Sequence, residues 1–121
     1  MTPARLNLKI YQGATFRRVL RLTNAAGNPI NLAGAVARMH IREEISSTTV
    51  LIALDDTNGR LTVTDEVGGE ITLLIEDEDT GALNFTTGVY DLELEYSDNS
   101  VDRLLYGTVT LVGEVTREDE E

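Results

Sequence analysis

The feature that most constrains this chain is its rhythm of short apolar alternations, none longer than a strand and each closed by a turn-forming cluster. The clearest is Val89–Tyr96, where Tyr90, Leu92, Leu94 and Tyr96 fall on one side and Asp91, Glu93 and Glu95 on the other. A period of two belongs to a half-buried strand, and no segment sustains the period near 3.6 that a helix would need. The same reading predicts strands at 6–10, 16–23, 35–42, 50–54, 61–64, 70–75, 89–96 and 103–112. Between them lie "NAAGNP" (24–29), "TNGR" (57–60), "VGGE" (67–70) and "SDNS" (97–100), rich in residues that tolerate positive φ. The last joins two strong strands over four residues and predicts a hairpin.

Strands at such spacing in one domain predict an all-β fold: a single antiparallel β-sandwich, immunoglobulin-like, with about seven to nine strands. A small barrel is the alternative. One short helical turn is expected near 77–83, where the acids of "EDEDTGAL" suit a helix N-terminus and Ala82 and Leu83 tuck inward. The sandwich is assigned to residues 1–113 and an acidic tail to residues 114–121. With six aromatic residues and no Trp, the core must be aliphatic. Its expected members are Phe16, Leu20, Leu22, Met39, Ile41, Leu73, Ile75, Tyr90, Leu92, Leu94 and Leu105.

Cysteine is absent, which removes disulfides, thiolate metal sites and a Cys nucleophile. "MTPARLNLKIYQGATFRR" has no apolar region of the signal-peptide kind, and no apolar run approaches the ~18 residues of a membrane span. Neither secretion nor a membrane is therefore expected.

Several strings suggest chemistry and then lose it. Asp79-Thr80-Gly81-Ala82 looks like the signature of a half-size aspartic protease. Such a dyad needs carboxylates buried by apolar neighbours so that two share one proton. Here Glu76, Asp77 and Glu78 precede it, and a strand-connecting helical turn explains the string better. Asp77 and Asp79 are spaced like the first two ligands of a calcium loop, but Gly81 takes the third place and Gly88 the twelfth. "DDTNG" (55–59) reads as a turn. His40 is the only histidine, on the outward phase of its strand, with no second ligand for a metal. Ser46 and Ser47 lack a nucleophile elbow. No catalytic residue, cofactor site or metal site is expected.

Charge is unevenly spread. Residues 1–42 contain no acid and carry +7, from Arg5, Lys9, Arg17, Arg18, Arg21, Arg38 and Arg42. The rest holds all 21 acids against three arginines, which leaves the chain at −11. A net charge of that sign, with few aromatic platforms, argues against nucleic acid as a partner.

The stretches "YQGATF" (11–16), "NAAGNPINLAGAVARMHIR" (24–42), "GVYDLELEY" (88–96) and "RLLYGTVTL" (103–111), in this order, resemble small β-sandwich virion proteins of tailed bacteriophages and prophages. They are similar to the N-terminal domain of phage upper baseplate proteins. The turn–strand unit at 27–42 carries most of the likeness. Asn31-Leu32-Ala33-Gly34 stands there where the family favours Asp-Leu-Thr-Gly, and Ala14 where an acid is common. The resemblance implies a non-enzymatic structural part of the virion. It would be an assembly or adaptor module at the tail or baseplate, attaching fibres or receptor-binding proteins. Capsid decoration and head–tail joining are alternative positions, and a carbohydrate-binding sandwich is the competing class. The implied partners are other virion proteins, with the module itself homo-oligomeric or multi-copy. The residues expected to meet them are the outward arginines Arg17, Arg21, Arg38 and Arg42, and the tail acids Glu118, Asp119, Glu120 and Glu121.

Overall fold

The computed structural model describes residues 3–116. In chain order the elements are β1 (Ala4–Arg5), β2 (Leu8–Tyr11), β3 (Phe16–Arg21), β4 (Val36–Arg42), β5 (Ile52–Asp55), β6 (Leu61–Asp65), β7 (Glu70–Ile75), α1 (Asp77–Gly81), β8 (Thr87–Glu95) and β9 (Val101–Val112). They form two sheets. The larger runs β1-β9-β8-β4-β5, with β2 continuing β1 along the same edge of β9, and the smaller runs β3-β7-β6. This is the distribution of an immunoglobulin-like sandwich, without its cysteine pair or its tryptophan.

The core lies between the sheets. Ile10, Met39, Ile41, Leu54, Leu92, Leu94 and Val109 face it from the larger sheet, and Leu20, Leu61, Ile71, Leu73 and Ile75 from the smaller. Every expected core residue is buried except Phe16, which is partly buried against the cluster at the end of an edge strand. Tyr96 is likewise partly buried.

Strand phase comes directly from the alternation, but three details do not. First, β1 and β2 run parallel to β9, with Ala4 opposite Leu105 and Leu8 opposite Val109. The sandwich is antiparallel as expected, with a parallel pairing at this one edge. The interruption at Leu6–Asn7 is absorbed by Gly107, where a Cβ would lie 2.2 Å from the Leu6 carbonyl oxygen. Asn7 Oδ1 accepts the Thr108 N–H at 3.1 Å and keeps the two pieces on one edge.

Second, a bulge separates Leu92↔Leu105 from Glu93↔Arg103 in the β8–β9 ladder. Strict alternation would turn Leu104 outward, whereas the bulge buries Leu104 and Leu105 together. Third, just past α1 Leu83 is buried but Ala82 is exposed, contrary to the inward placement expected of both.

The inward side chain of α1 is Thr80, fully buried. Its hydroxyl accepts the Gly13 N–H at 3.0 Å and donates to the Ala14 oxygen at 2.8 Å. Asp79 points out and pairs with Arg60 at 3.3 Å. The protease-like string therefore fastens the β7–β8 crossover to the β2–β3 turn. The predicted hairpin at 97–100 forms, with Tyr96 N–H on the Ser100 oxygen at 2.9 Å and Asn99 at φ 70°.

Candidate functional site: the outer face of the larger sheet

In a strand every second side chain leaves the core, so the outer face of the larger sheet follows from the same alternation that buries its inner face. Arg38, His40 and Arg42 project from β4; Val89, Asp91 and Glu93 from β8; Arg103, Tyr106 and Thr108 from β9; Arg5 from β1. With Ile45 from the β4–β5 loop they line an open groove of about 480 Å³. Ile45 is 91% exposed, an isolated apolar side chain at the rim.

The groove's charges are only partly compensated. Arg38 is held by Glu95 at 2.8 Å and Glu93 at 3.4 Å, and Arg103 by Asp91 at 3.3 Å. The hydrogen bond to Glu95, with the nearby Glu93 charge adding to it, pushes the Arg38 guanidinium still further above its ordinary range. Arg42 has no ion pair among the described residues: it donates to the Ser47 oxygen at 2.9 Å, with His40 Nδ1 3.4 Å from its other nitrogen. Arg5 stacks over the Tyr106 ring, 5.9 Å from its centroid. Four arginines meet three carboxylates, Asp91 and Glu93 in the groove and Glu95 beside it, so the groove keeps a small basic excess on a chain whose net charge is −11.

The four arginines singled out from sequence do not form one surface. Arg38 and Arg42 lie in the groove. Arg17 and Arg21 project from β3 on the other sheet, the opposite outer side of the sandwich. Arg21 is engaged within the fold by Glu70 at 3.0 Å; Arg17 has no ion pair among the described residues. Internal neutralisation of basic by acidic strands thus accounts for Arg21 and Arg38. Glu118, Asp119, Glu120 and Glu121 lie outside the described residues. Arg5, Tyr106 and Ile45 escaped sequence reasoning. Arg5 preceded the expected first strand, and no periodicity marks a loop isoleucine between two acids and two serines.

Chemically the groove can bind but offers no acid–base or nucleophilic pair. His40 is exposed and meets Arg42, not a carboxylate or hydroxyl. Among the described residues no group of three His, Asp or Glu side chains is placed to hold a metal ion.

No family model matches the chain, and no curated protein does. Two solved structures are similar in outline. CopC from Methylosinus trichosporium OB3b is 15% identical, with a TM-score of 0.46, covering 91% of this chain and 89% of its own. The extracellular domain of the voltage-gated sodium channel beta4 subunit, described in parallel homodimer structures that explain its role in cell–cell adhesion, is 12% identical. Its TM-score is 0.47, over 95% of this chain and 97% of its own. At that distance neither supplies a role for any residue here.

Proposed function

We propose that this chain is a non-enzymatic assembly module of a tailed-bacteriophage virion, placed at the tail or baseplate, where it holds another virion protein. The observation that carries the binding role is the basic outer groove, in which Arg5 and Arg42 have no carboxylate partner among the described residues. The uncompensated charge of Arg5 and Arg42, with Ile45 and Tyr106 as apolar contacts, suits the docking of an acidic protein surface. The virion setting rests on the resemblance of the stretches at 11–16, 24–42, 88–96 and 103–111 to phage sandwich proteins.

The test is to purify particles from a producing host by density gradient and probe the fractions with an antibody to this chain. The chain should co-sediment with intact particles, and Arg42→Glu should reduce its incorporation several-fold while leaving the isolated fold unchanged. A chain found only in the soluble fraction would overturn the virion reading. Tight, saturable binding on a glycan array would instead favour recognition of a host-surface carbohydrate.

A further inference from the structure

In the constant-type immunoglobulin sandwich the first strand lies in the same sheet as the strand corresponding to β3. In this chain β1 and β2 both pair with β9, and β3 pairs only with β7. Among the described residues one long edge of the smaller sheet, Phe16–Arg21, is therefore unpaired.

The direction of its backbone groups follows from one bond. Leu22 donates to the Gly69 oxygen at 2.8 Å, continuing the β3–β7 register. Antiparallel pairs alternate between hydrogen-bonded and non-bonded. Leu20, Arg18 and Phe16 therefore exchange bonds with β7, while the N–H and C=O groups of Arg17, Val19 and Arg21 point away from it. None of those groups has a partner among the described residues.

A second observation lies beside this edge. Between the end of β3 and the β1–β9 edge is a cleft of about 490 Å³, lined chiefly by Leu22, Ile30, Leu104 and Leu105. Arg18 is on the inward phase of β3 yet exposed.

We propose that β3 is a strand-acceptor edge, which takes an extended segment of a partner protein carrying carboxylates on its outward side and apolar side chains on its inward side. Main-chain bonds to Arg17, Val19 and Arg21 would hold the segment, and its inward side chains would enter the cleft. The occupant's outward charge is set by Arg17, which has no ion pair among the described residues, and by Arg21, which stays largely exposed beside Glu70. A second copy pairing through the same edge would set these outward arginines against themselves, which like charges across a ladder oppose. Edge charges also guard against aggregation, and the same charges that repel a copy select an acidic strand. This inference is independent of the outer groove and of the virion setting.

The probe is a blocked seven-residue peptide alternating Glu and Val, titrated into the isotope-labelled full chain and followed by amide NMR. Saturable shifts should centre on Arg17, Val19 and Arg21, and a Lys–Val peptide should give none. The segment is expected to add antiparallel, so that the residues opposite Arg17, Val19 and Arg21 share their outward face and exchange both bonds with them, and the Glu amides of the peptide point at β3. Methylating the Glu nitrogens should weaken binding at least tenfold, whereas methylating the Val nitrogens should not. Val19→Pro removes an N–H that β7 does not use, so it should leave the thermal midpoint nearly unchanged and weaken binding at least tenfold. Arg17→Glu should weaken it comparably. Absence of saturable shifts, equal binding of both methylated peptides, or shifts confined to the outer groove would each overturn the proposal. The peptide arms decide the matter even if the proline variant fails to fold.

Discussion

The Tyr90 hydroxyl donates a 2.6 Å hydrogen bond to the carbonyl oxygen of Leu6, tying the central strand β8 to the break between β1 and β2. Burial pushes this phenol up to about 12 from 10.0, with Arg18 opposing the shift. In the unfolded chain the tyrosine ionises near pH 10, and the fold holds it neutral to higher pH. Its contribution to stability is therefore complete below pH 10 and is lost as pH rises toward 12. Tyr90→Phe should cost about 1–3 kcal/mol at neutral pH, because the Leu6 oxygen loses its donor. Denaturant titrations between pH 9 and 12 should show a smaller alkaline loss for the variant than for the parent. Parallel losses would mean that Tyr90 is not the group responsible.

Thr80 carries the connection between α1 and the β2–β3 turn through one hydroxyl. Thr80→Val keeps the shape but leaves the Gly13 N–H and the Ala14 oxygen without it, for an expected loss of about 1–3 kcal/mol. Asp79→Asn, by contrast, touches only an exposed pair with Arg60 and should change stability by less than about 1 kcal/mol. Equal losses in chemical denaturation would assign the string's role to the aspartate instead.

At Gly107 the Leu6 carbonyl leaves no room for a side chain. Gly107→Ala should destabilise by at least about 1–3 kcal/mol, since relief requires β1 and β2 to move off β9. Hydrogen exchange should show the loss of protection first at the Leu6 and Thr108 amides. An unchanged thermal midpoint would show that this edge yields freely.

Leu92 is fully buried at the centre of β8. Leu92→Ala should cost about 2–5 kcal/mol by removing transfer free energy and leaving a cavity. Urea unfolding measures it directly. A loss under about 1 kcal/mol would mean that the core around Leu92 collapses to fill the space.

The acids at 118–121 belong to the proposed assembly role. Deleting residues 117–121 should leave the midpoint of the isolated domain unchanged but reduce incorporation into particles, most at low salt, where exposed charges are least screened. Exposed pairs of this kind contribute only about 0–1 kcal/mol each, so the effect should fall mainly on association rate. Normal incorporation of the truncated chain at every salt concentration would exclude a role for these acids.

Alternation along the chain was enough to place β2 to β9, the phase of β8 and ten of the eleven named core positions, because a half-buried strand writes its burial into its own sequence with period two. Turn chemistry was likewise local, and the 97–100 hairpin needed nothing beyond its own residues. What the sequence could not supply were relations between distant backbones. The parallel seating of β1 and β2 on β9 depends on Gly107 and Asn7, a hundred residues apart, and the burial of Leu104 depends on a bulge that only pairing with β8 creates. The outward phase of Arg17, Arg21, Arg38 and Arg42 was legible, but their division between two opposite faces was not. Phase says which side of a strand a residue leaves, and only the assignment of strands to sheets decides where that side points. Charge asymmetry was visible along the chain, while the basic groove that it builds on an acidic molecule exists only once β1, β4, β8 and β9 lie side by side.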